Sequence, residues 1–218
     1  MISNSGPEWK NYKPKSDVSI IPKQPKNKTT SKAIEIIRSI SKILPLSPKI
    51  HKEFISSSTD IFYDVHKKGL IKGRDTEKVA TTIVYIVCRM NNLAITLDEI
   101  ATASGVPKKE IIRLQKFYSK SLHFKLPQHD LFVFLKRFSS DLRLDRRTFE
   151  RCEDILQIAS TNNFSDGLSP NTVIGAVIYL ASKIEKDKRS QSTISKVVGV
   201  SELTIRNGYQ RLNEFVSQ

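Results

Sequence analysis

The amino-acid sequence predicts an all-α fold that contains two copies of one five-helix unit. Apolar residues recur at the spacing of amphipathic helices along most of the chain, and the 218 residues include only eight glycines. Residues 189–212 have the pattern of two short helices that meet at a glycine. A shift of the chain by 94 positions places Gly73 on Gly167 and Gly105 on Gly199, which indicates an internal duplication.

The duplication extends over core and turn positions. At the same shift the matching pairs are Val79 and Val173, Tyr85 and Tyr179, Ile100 and Ile194, Val106 and Val200, and Ile111 and Ile205. Chance matches would not select structural positions so consistently. The sequence therefore predicts an N-terminal arm over residues 1–30, a first repeat over residues 31–126 and a second repeat over residues 127–218.

The charge of the chain indicates an anionic partner. The formal net charge is +14, which favours nucleic acid first, an acidic protein surface second and a membrane surface third. A basic protein without such a partner is the alternative. The net charge is +5 for residues 1–32, +7 for residues 33–125 and +2 for residues 126–218. This division favours phosphate or acid binding by the arm and first repeat, and base reading by the second repeat.

Other classes of protein lack support in the sequence. No apolar run approaches the ~18 residues of a membrane span, and no signal peptide precedes the first helix, so we expect a reducing compartment. Cys88 and Cys152 fall in predicted helices and form no CxxC pair, so neither a disulfide nor a zinc site is expected. The four histidines lack metal-ligand spacing, and no HExxH, GxSxG or P-loop motif occurs, so we expect no catalysis.

Residues 1–30 are predicted to form an extended or disordered basic arm. Four prolines prevent a long helix there, and lysine, serine and asparagine dominate the composition. The segment GPEWK interrupts this composition with Trp9, the single tryptophan of the chain. A tryptophan in a polar arm docks either on the chain's own surface or on a partner, and the sequence favours neither.

Apolar spacing, prolines and capping residues predict the first three helices. The first begins at Ser31 and ends at Pro45, and its apolar face consists of Ile34, Ile37, Ile40 and Leu44. Pro48 opens the second helix, which runs to Lys68. Asp75 is the N-cap of the third helix. Its run TTIVYIV would suit a buried strand, but its length, cap and 3.6-residue spacing favour a central buried helix.

Local signals also predict the remaining helices. Thr96 and Glu99 form a capping box for a short fourth helix. Gly105 turns the chain, and Pro107 is the first residue of a fifth helix that runs to about Leu122. In the second repeat the same order predicts helices over residues 129–142, 146–162, 169–185, 190–198 and 201–216.

The last two predicted helices have the pattern of a helix-turn-helix. Ser190 and Ser201 are the predicted N-caps, and Val197, Val198 and Gly199 are the predicted turn. The apolar residues that would pack the two helices together are Ile194, Val198, Val200 and Ile205. The second helix exposes Glu202, Thr204, Arg206 and Asn207, which can reach base edges in a major groove. The alternative is an ordinary helical bundle in which two amphipathic helices meet at a glycine.

Four segments of the two repeats stand out, namely LIKGRDTEKVATTIVYIVCR, TLDEIATASGVPKKEI, LSPNTVIGAVIYLAS and RSQSTISKVVGVSELTIRNGY. They resemble the cyclin-like core of the transcription factor IIB family, which includes archaeal transcription factor B. The resemblance covers residues 31–216, and GPEWK is similar to the segment that follows the zinc ribbon in archaeal members. It implies two tandem five-helix cyclin-like repeats, each ending in a helix-turn-helix-like unit. It further implies a general initiation factor that binds TATA-binding protein on bent promoter DNA and helps recruit RNA polymerase.

The resemblance also implies which residues make contacts. Leu203 and Arg206 match positions that contact the promoter element upstream of the TATA box, and Thr204 and Asn207 lie beside them. The residues that match the part lying on the phosphate backbone are Lys188, Arg189, Ser190 and Gln191. In the first repeat, the residues that match positions near downstream DNA and TATA-binding protein are Lys72, Gly73, Arg74, Lys108 and Lys109.

Two departures from the family pattern affect the expected partners. The zinc ribbon that docks on the polymerase is absent from this sequence, so no zinc cofactor is expected. The segment between GPEW and the first helix is also shorter than the family's reader and linker. A truncated form and a natural variant with weakened or altered polymerase contact both fit this sequence. Such a variant would either support initiation or compete with the complete factor.

Two further functions stay open at the level of sequence. A cyclin-type interaction subunit shares the five-helix repeat but would act through an apolar kinase-binding groove. A stand-alone helix-turn-helix regulator would dimerise to read a palindrome, whereas we expect a monomer that does not bind membranes. GPEWK favours an archaeal protein of the cytoplasm and nucleoid over a eukaryotic nuclear one.

Overall fold

The computed structural model describes residues 28–216, which contain ten α-helices and no β-strand. The first five helices are α1 (Lys28–Ile43), α2 (Pro48–Lys67), α3 (Thr76–Met90), α4 (Leu97–Ser104) and α5 (Lys108–Ser121). The next five are α6 (Leu131–Leu142), α7 (Arg146–Thr161), α8 (Pro170–Ile184), α9 (Gln191–Val198) and α10 (Glu202–Val216). The predictions for Trp9 and for residues 1–27 of the arm concern residues outside the described range, whereas residues 28–30, predicted as part of the extended arm, are helical. Within that range, no helix is both long and apolar enough for a membrane span.

The chain divides into two compact units, with the boundary between Gln128 and His129. In the first unit, α3 is the central helix, and every side chain from Val79 to Cys88 is buried. Helices α1, α2, α4 and α5 all pack against it. A helix that is apolar on all sides is stable only when it is surrounded in this way, which explains why the β-branched run TTIVYIV is helical.

The second unit repeats this arrangement around α8. Its residues Val173–Ile178 are buried, and α6, α7, α9 and α10 pack against it. The hydroxyl of Ser169 accepts a hydrogen bond from the backbone N–H of Thr172 and thereby caps the helix. Tyr179 packs edge to face on Tyr209, with ring centroids 5.0 Å apart, so this tyrosine serves packing. The predicted all-α fold of two five-helix repeats is confirmed.

The helix ends differ from the predicted ones by a few residues. α1 begins at Lys28, three residues earlier than predicted. Pro107 is the N-cap residue of α5 and not its first helical residue. α6 begins at Leu131, two residues later than predicted, because the Asp130 carboxylate accepts the backbone N–H of Phe132 and starts the helix there.

The predicted turn of the helix-turn-helix is also wrong in its position. Val197 and Val198 belong to α9, and the turn begins at Gly199. Gly199 has φ +74°, a left-handed conformation that suits glycine, and its N–H donates to the carbonyl of Ser195. The helix therefore continues until the chain reaches a residue that can end it.

Candidate nucleic-acid interface

Helices α9 and α10 form the predicted helix-turn-helix of the second unit. Ser190 Oγ accepts the Thr193 N–H at 3.0 Å, and Ser201 Oγ accepts the Thr204 N–H at 3.1 Å, so each helix has a hydroxyl cap. The apolar residues that join the helices are Ile194, Val198 and Ile205, all buried, and Val200, half-buried. The geometry is therefore that of two helices held at a fixed angle by a shared apolar contact.

Two glycines bring α10 close to α8. A Cβ atom on Gly175 would lie 3.3 Å from Ile205 Cγ1 and 3.3 Å from Val198 Cγ2. A Cβ atom on Gly208 would lie 3.1 Å from Ala176 Cβ. The equivalent positions of the first repeat carry Thr81 and Leu114, so this close approach distinguishes the second repeat. Sequence reasoning missed it, although a glycine inside a helix costs about 1 kcal/mol and signals a packing requirement.

A buried hydrogen bond fixes the turn to α8. The side-chain amide of Asn171 donates from Nδ2 to the carbonyl oxygen of Val198 at 2.6 Å. The residue is 4% exposed, so the bond forms away from water, where the carbonyl at the end of α9 has no substitute partner. Asn171 therefore positions the helix-turn-helix, and the sequence pattern did not reveal this role.

The outer face of α10 carries the predicted base-reading residues. Leu203, Arg206, Asn207 and Gln210 are all exposed and share this face, because their spacing is three, four and seven residues. Leu203 is 61% exposed, so its apolar side chain is accessible on this face. Sequence reasoning did not include Gln210. Thr204 is less accessible than these residues, because it is half-buried and its hydroxyl lies 2.8 Å from Ser201 Oγ in the helix cap.

Arg206 connects the two helices at their outer face. Its Nε and Nη2 donate to Gln191 Oε1 at 3.4 and 3.3 Å, and the arginine is exposed. These bonds are long and open to water, so a base or phosphate can replace them at little cost. Gln191 is the first residue of α9, and the structure thus brings a predicted base reader beside a predicted backbone-contact residue.

Arg189 has a role that the sequence did not reveal. Its Nη1 donates to the carbonyl of Leu142 at 2.7 Å and its Nη2 to the carbonyl of Arg143 at 3.0 Å, both at the end of α6. Its Nε pairs with Asp187 at 3.1 Å. The guanidinium therefore holds the start of α9 on α6, and direct phosphate contact by Arg189 would require it to give up these bonds. Lys188 beside it is exposed.

The predicted contact loop of the first unit is held in a similar way. Gly73 has φ +69°, and Arg74 Nη1 donates to the carbonyls of Leu70 at 3.1 Å and Lys72 at 3.2 Å. The Arg74 guanidinium carbon also lies 4.0 Å from the centroid of the Phe117 ring. Arg74 therefore fixes the loop on α5, while the Lys72 side chain points to solvent.

A basic face on α5 extends beyond the two predicted lysines. Lys109, Arg113, Lys116 and Lys120 are exposed and recur at intervals of four, three and four residues, which places them on one side of the helix. Arg113 donates to Glu110 at 2.9 Å, and this hydrogen bond holds the pKa of the Glu110 carboxyl below its usual range. The predicted contact residue Lys108 pairs with Asp98 at 2.6 Å. The spacing of basic residues along α5 would have predicted this whole basic face from the sequence.

The described residues hold no group of three histidine, cysteine or acidic side chains suited to a metal ion. Cys88 and Cys152 are buried free thiols. Burial raises the pKa of the Cys152 thiol to about 12 and raises that of Cys88 further still. Both thiols are therefore neutral packing groups near neutral pH.

Comparison with known proteins agrees with this geometry. The family described as "Transcription factor TFIIB repeat" matches residues 26–120 and again residues 125–215. The chain is 39% identical over 148 residues to a protein named Transcription initiation factor IIB from Methanococcus maripaludis strain C7. Proteins of the same name from Methanocaldococcus jannaschii and Pyrococcus horikoshii are 38% identical over 154 residues and 34% identical over 170 residues.

The alignments cover most of this chain but less of the relatives. They include 68%, 71% and 76% of this chain, and 44%, 23% and 56% of the Methanococcus, Methanocaldococcus and Pyrococcus proteins. The chain thus spans about half or less of the length of these relatives. The family resemblance predicted from the sequence is confirmed.

Proposed function

Since the chain belongs to the transcription factor TFIIB family, we propose that it is a transcription initiation factor that binds promoter DNA and acts without catalysis. The proposed reading element is the outer face of α10. The observation that carries this proposal is the pairing of an exposed leucine, Leu203, with the exposed Arg206 on the second helix of a helix-turn-helix. Side chains at this place reach base edges when the helix enters a major groove.

The chemistry of this face supports reading of a mixed sequence. An arginine binds O6 and N7 of guanine with two hydrogen bonds and discriminates against other bases by about 1–3 kcal/mol. Arg206 is free to do so once it leaves Gln191. Leu203 offers apolar contact to a thymine methyl group, and Asn207 offers an amide to adenine. Lys188, Ser190 and Gln191 at the start of α9 contact the phosphate backbone in this arrangement.

The first repeat supplies backbone contacts in the same proposal. The basic face of α5 presents four exposed cations, and Lys108 and Lys72 lie on the same unit. Their role is to neutralise phosphates downstream of the TATA box, with no reading of sequence. The net charge of +7 over residues 33–125, against +2 over residues 126–218, supports this division.

TATA-binding protein is the proposed partner on DNA. One recognition helix and a few phosphate contacts give little specific binding energy on free DNA. DNA that another protein has already bent lets both repeats bind at once, which raises affinity through effective concentration. Recruitment of RNA polymerase follows from the same family role. The archaeal sources of the relatives favour a place in the nucleoid.

A gel-shift titration tests this proposal. We expect much tighter binding to a promoter duplex preincubated with TATA-binding protein than to the duplex alone. Equal affinity for the two would reject the proposed assembly. In vitro transcription with purified polymerase then distinguishes a protein that supports initiation from one that competes with the complete factor.

A further inference from the structure

A cavity lies between the end of α6 and the start of α7 in the second unit. Its volume is about 370 Å³, and its lining residues are Lys136, Ser139, Ser140, Arg143, Leu144 and Phe149. The lining contains two cations, two hydroxyl groups and no acidic side chain. Its composition therefore suits an anion with several oxygen atoms.

The two cations have no ion-pair partner among the described residues, whereas the arginines around them do. Arg146 pairs with Glu150 at 2.7 Å, and Arg147 pairs with Glu185 at 2.6 Å. Lys136 and Arg143 are both exposed, so their positive charge is available to a ligand. Two positive charges without an ion pair in the described part of the chain therefore lie in the lining of this cavity.

The cavity is open to solvent, and one buried hydroxyl group in its lining has no hydrogen-bond partner within residues 28–216. Ser139 is 5% exposed, and its Oγ has no hydrogen-bond partner among the described residues. Buried hydroxyl groups normally have one. Arg143 has φ +52° and ends α6 in the left-handed conformation, where glycine is usual.

A series of contacts connects the cavity to the face that reads DNA. Arg189 donates to the carbonyl of Arg143 at 3.0 Å, and it directly precedes Ser190, the cap of α9. Gln191, the next residue, accepts hydrogen bonds from Arg206 on α10. The first helix of a helix-turn-helix crosses the DNA backbone, so a cation beside the start of α9 lies near the phosphates.

We propose that Lys136 and Arg143 bind a backbone phosphate of the promoter DNA in the cavity between α6 and α7. This inference rests on the proposed function, and it extends the DNA contact from the helix-turn-helix to α6. Lys136 and Arg143 neutralise the phosphate, and the Ser139 hydroxyl becomes its hydrogen-bond donor after a small rotation. The contact carries no sequence information and fixes the position of α10 in the groove.

The test measures, as a function of salt, the affinity of a variant with Lys136→Gln and Arg143→Asn for a promoter duplex preincubated with TATA-binding protein. Asparagine tolerates the left-handed conformation, so the turn is preserved and the unfolding midpoint should not fall. Loss of one phosphate contact should shallow the slope of log K against log salt by about 0.9. The ratio of wild-type to variant affinity should therefore be about 3.5-fold smaller at 200 mM salt than at 50 mM salt. Lys52→Gln, which removes a charge from exposed α2, is the control and should leave the slope unchanged.

A second variant, Arg206→Ala, separates this inference from the proposed function when its affinity is compared between duplexes that differ in the upstream element. If Arg206→Ala loses sequence preference while the double variant behaves like Lys52→Gln, the cavity does not bind DNA and the function stands. If the wild-type protein does not bind the promoter duplex even in the presence of TATA-binding protein, the proposed function fails. Inorganic phosphate is the probe for the case in which the double variant shows no loss of DNA binding. If phosphate raises the unfolding midpoint of the wild-type protein but not of the double variant in that case, the cavity binds an anion other than DNA, and its assignment to DNA is overturned.

Discussion

Replacement of Arg206 by alanine is the sharpest test of the reading face on α10. Arg206 is exposed, and among the described residues its side chain hydrogen-bonds to Gln191 alone, at 3.3 and 3.4 Å. Its removal should therefore change the free energy of unfolding by less than about 0.5 kcal/mol. A lost bidentate contact to guanine costs about 1–3 kcal/mol, which corresponds to roughly 5- to 150-fold in preference at one base pair.

The assay is a competition titration on duplexes that carry each of the four base pairs at successive positions of the upstream element, with TATA-binding protein present. Arg211→Ala is the matched control, because this arginine lies on the same helix with its guanidinium carbon 5.4 Å from the centroid of the Phe164 ring. We expect Arg206→Ala to flatten the preference at one position and Arg211→Ala to leave it intact. A preference that survives in Arg206→Ala would show that another residue reads the base.

Of four further predictions, three concern the helix-turn-helix that carries this face, and one concerns the buried thiol of Cys152. Asn171→Ala should cost about 1–3 kcal/mol in denaturant unfolding, because it leaves a buried carbonyl at the end of α9 without its donor; an unchanged midpoint would contradict this role. Lys188→Ala should shallow the salt slope of DNA binding by about 1 without loss of stability. Arg189→Ala, unlike Lys188→Ala, should lower the unfolding midpoint, since two carbonyls at the end of α6 lose their donor. Burial raises the pKa of the Cys152 thiol to about 12, above the value of about 8.5 in the unfolded chain. The thiol therefore contributes its full stability below about pH 8.5, and this contribution to the free energy of unfolding is lost as the pH rises further. Unfolding midpoints from pH 7 to 10 and thiol labelling before and after denaturation check this, and rapid labelling of the folded protein would refute it.

The sequence by itself determined the helices, the duplication and the family. These conclusions rest on interactions within a few residues, such as the Asp75 cap and the Thr96–Glu99 capping box, both of which form as predicted. Local hydrogen bonds of this kind depend on the residues inside one helical turn and therefore can be read from the chain. Where the predictions were wrong, as at the turn after Val198 and the start of α1, the helix ends differed by one to three residues.

Only the tertiary structure decided which basic residues are available to a ligand. Arg189 and Arg74 look like surface cations in the sequence. In the structure the Arg189 guanidinium donates to carbonyls at the end of α6, and the Arg74 guanidinium lies over the Phe117 ring. The residues involved are up to 47 positions apart, as are Arg189 and Leu142, so their contact depends on how the helices pack. The cavity beside Arg143 is lined by residues 136–149, which are close in sequence, but its shape depends on how the end of α6 and the start of α7 are placed. Charge is a property of a residue, whereas the freedom of that charge to bind is a property of the fold.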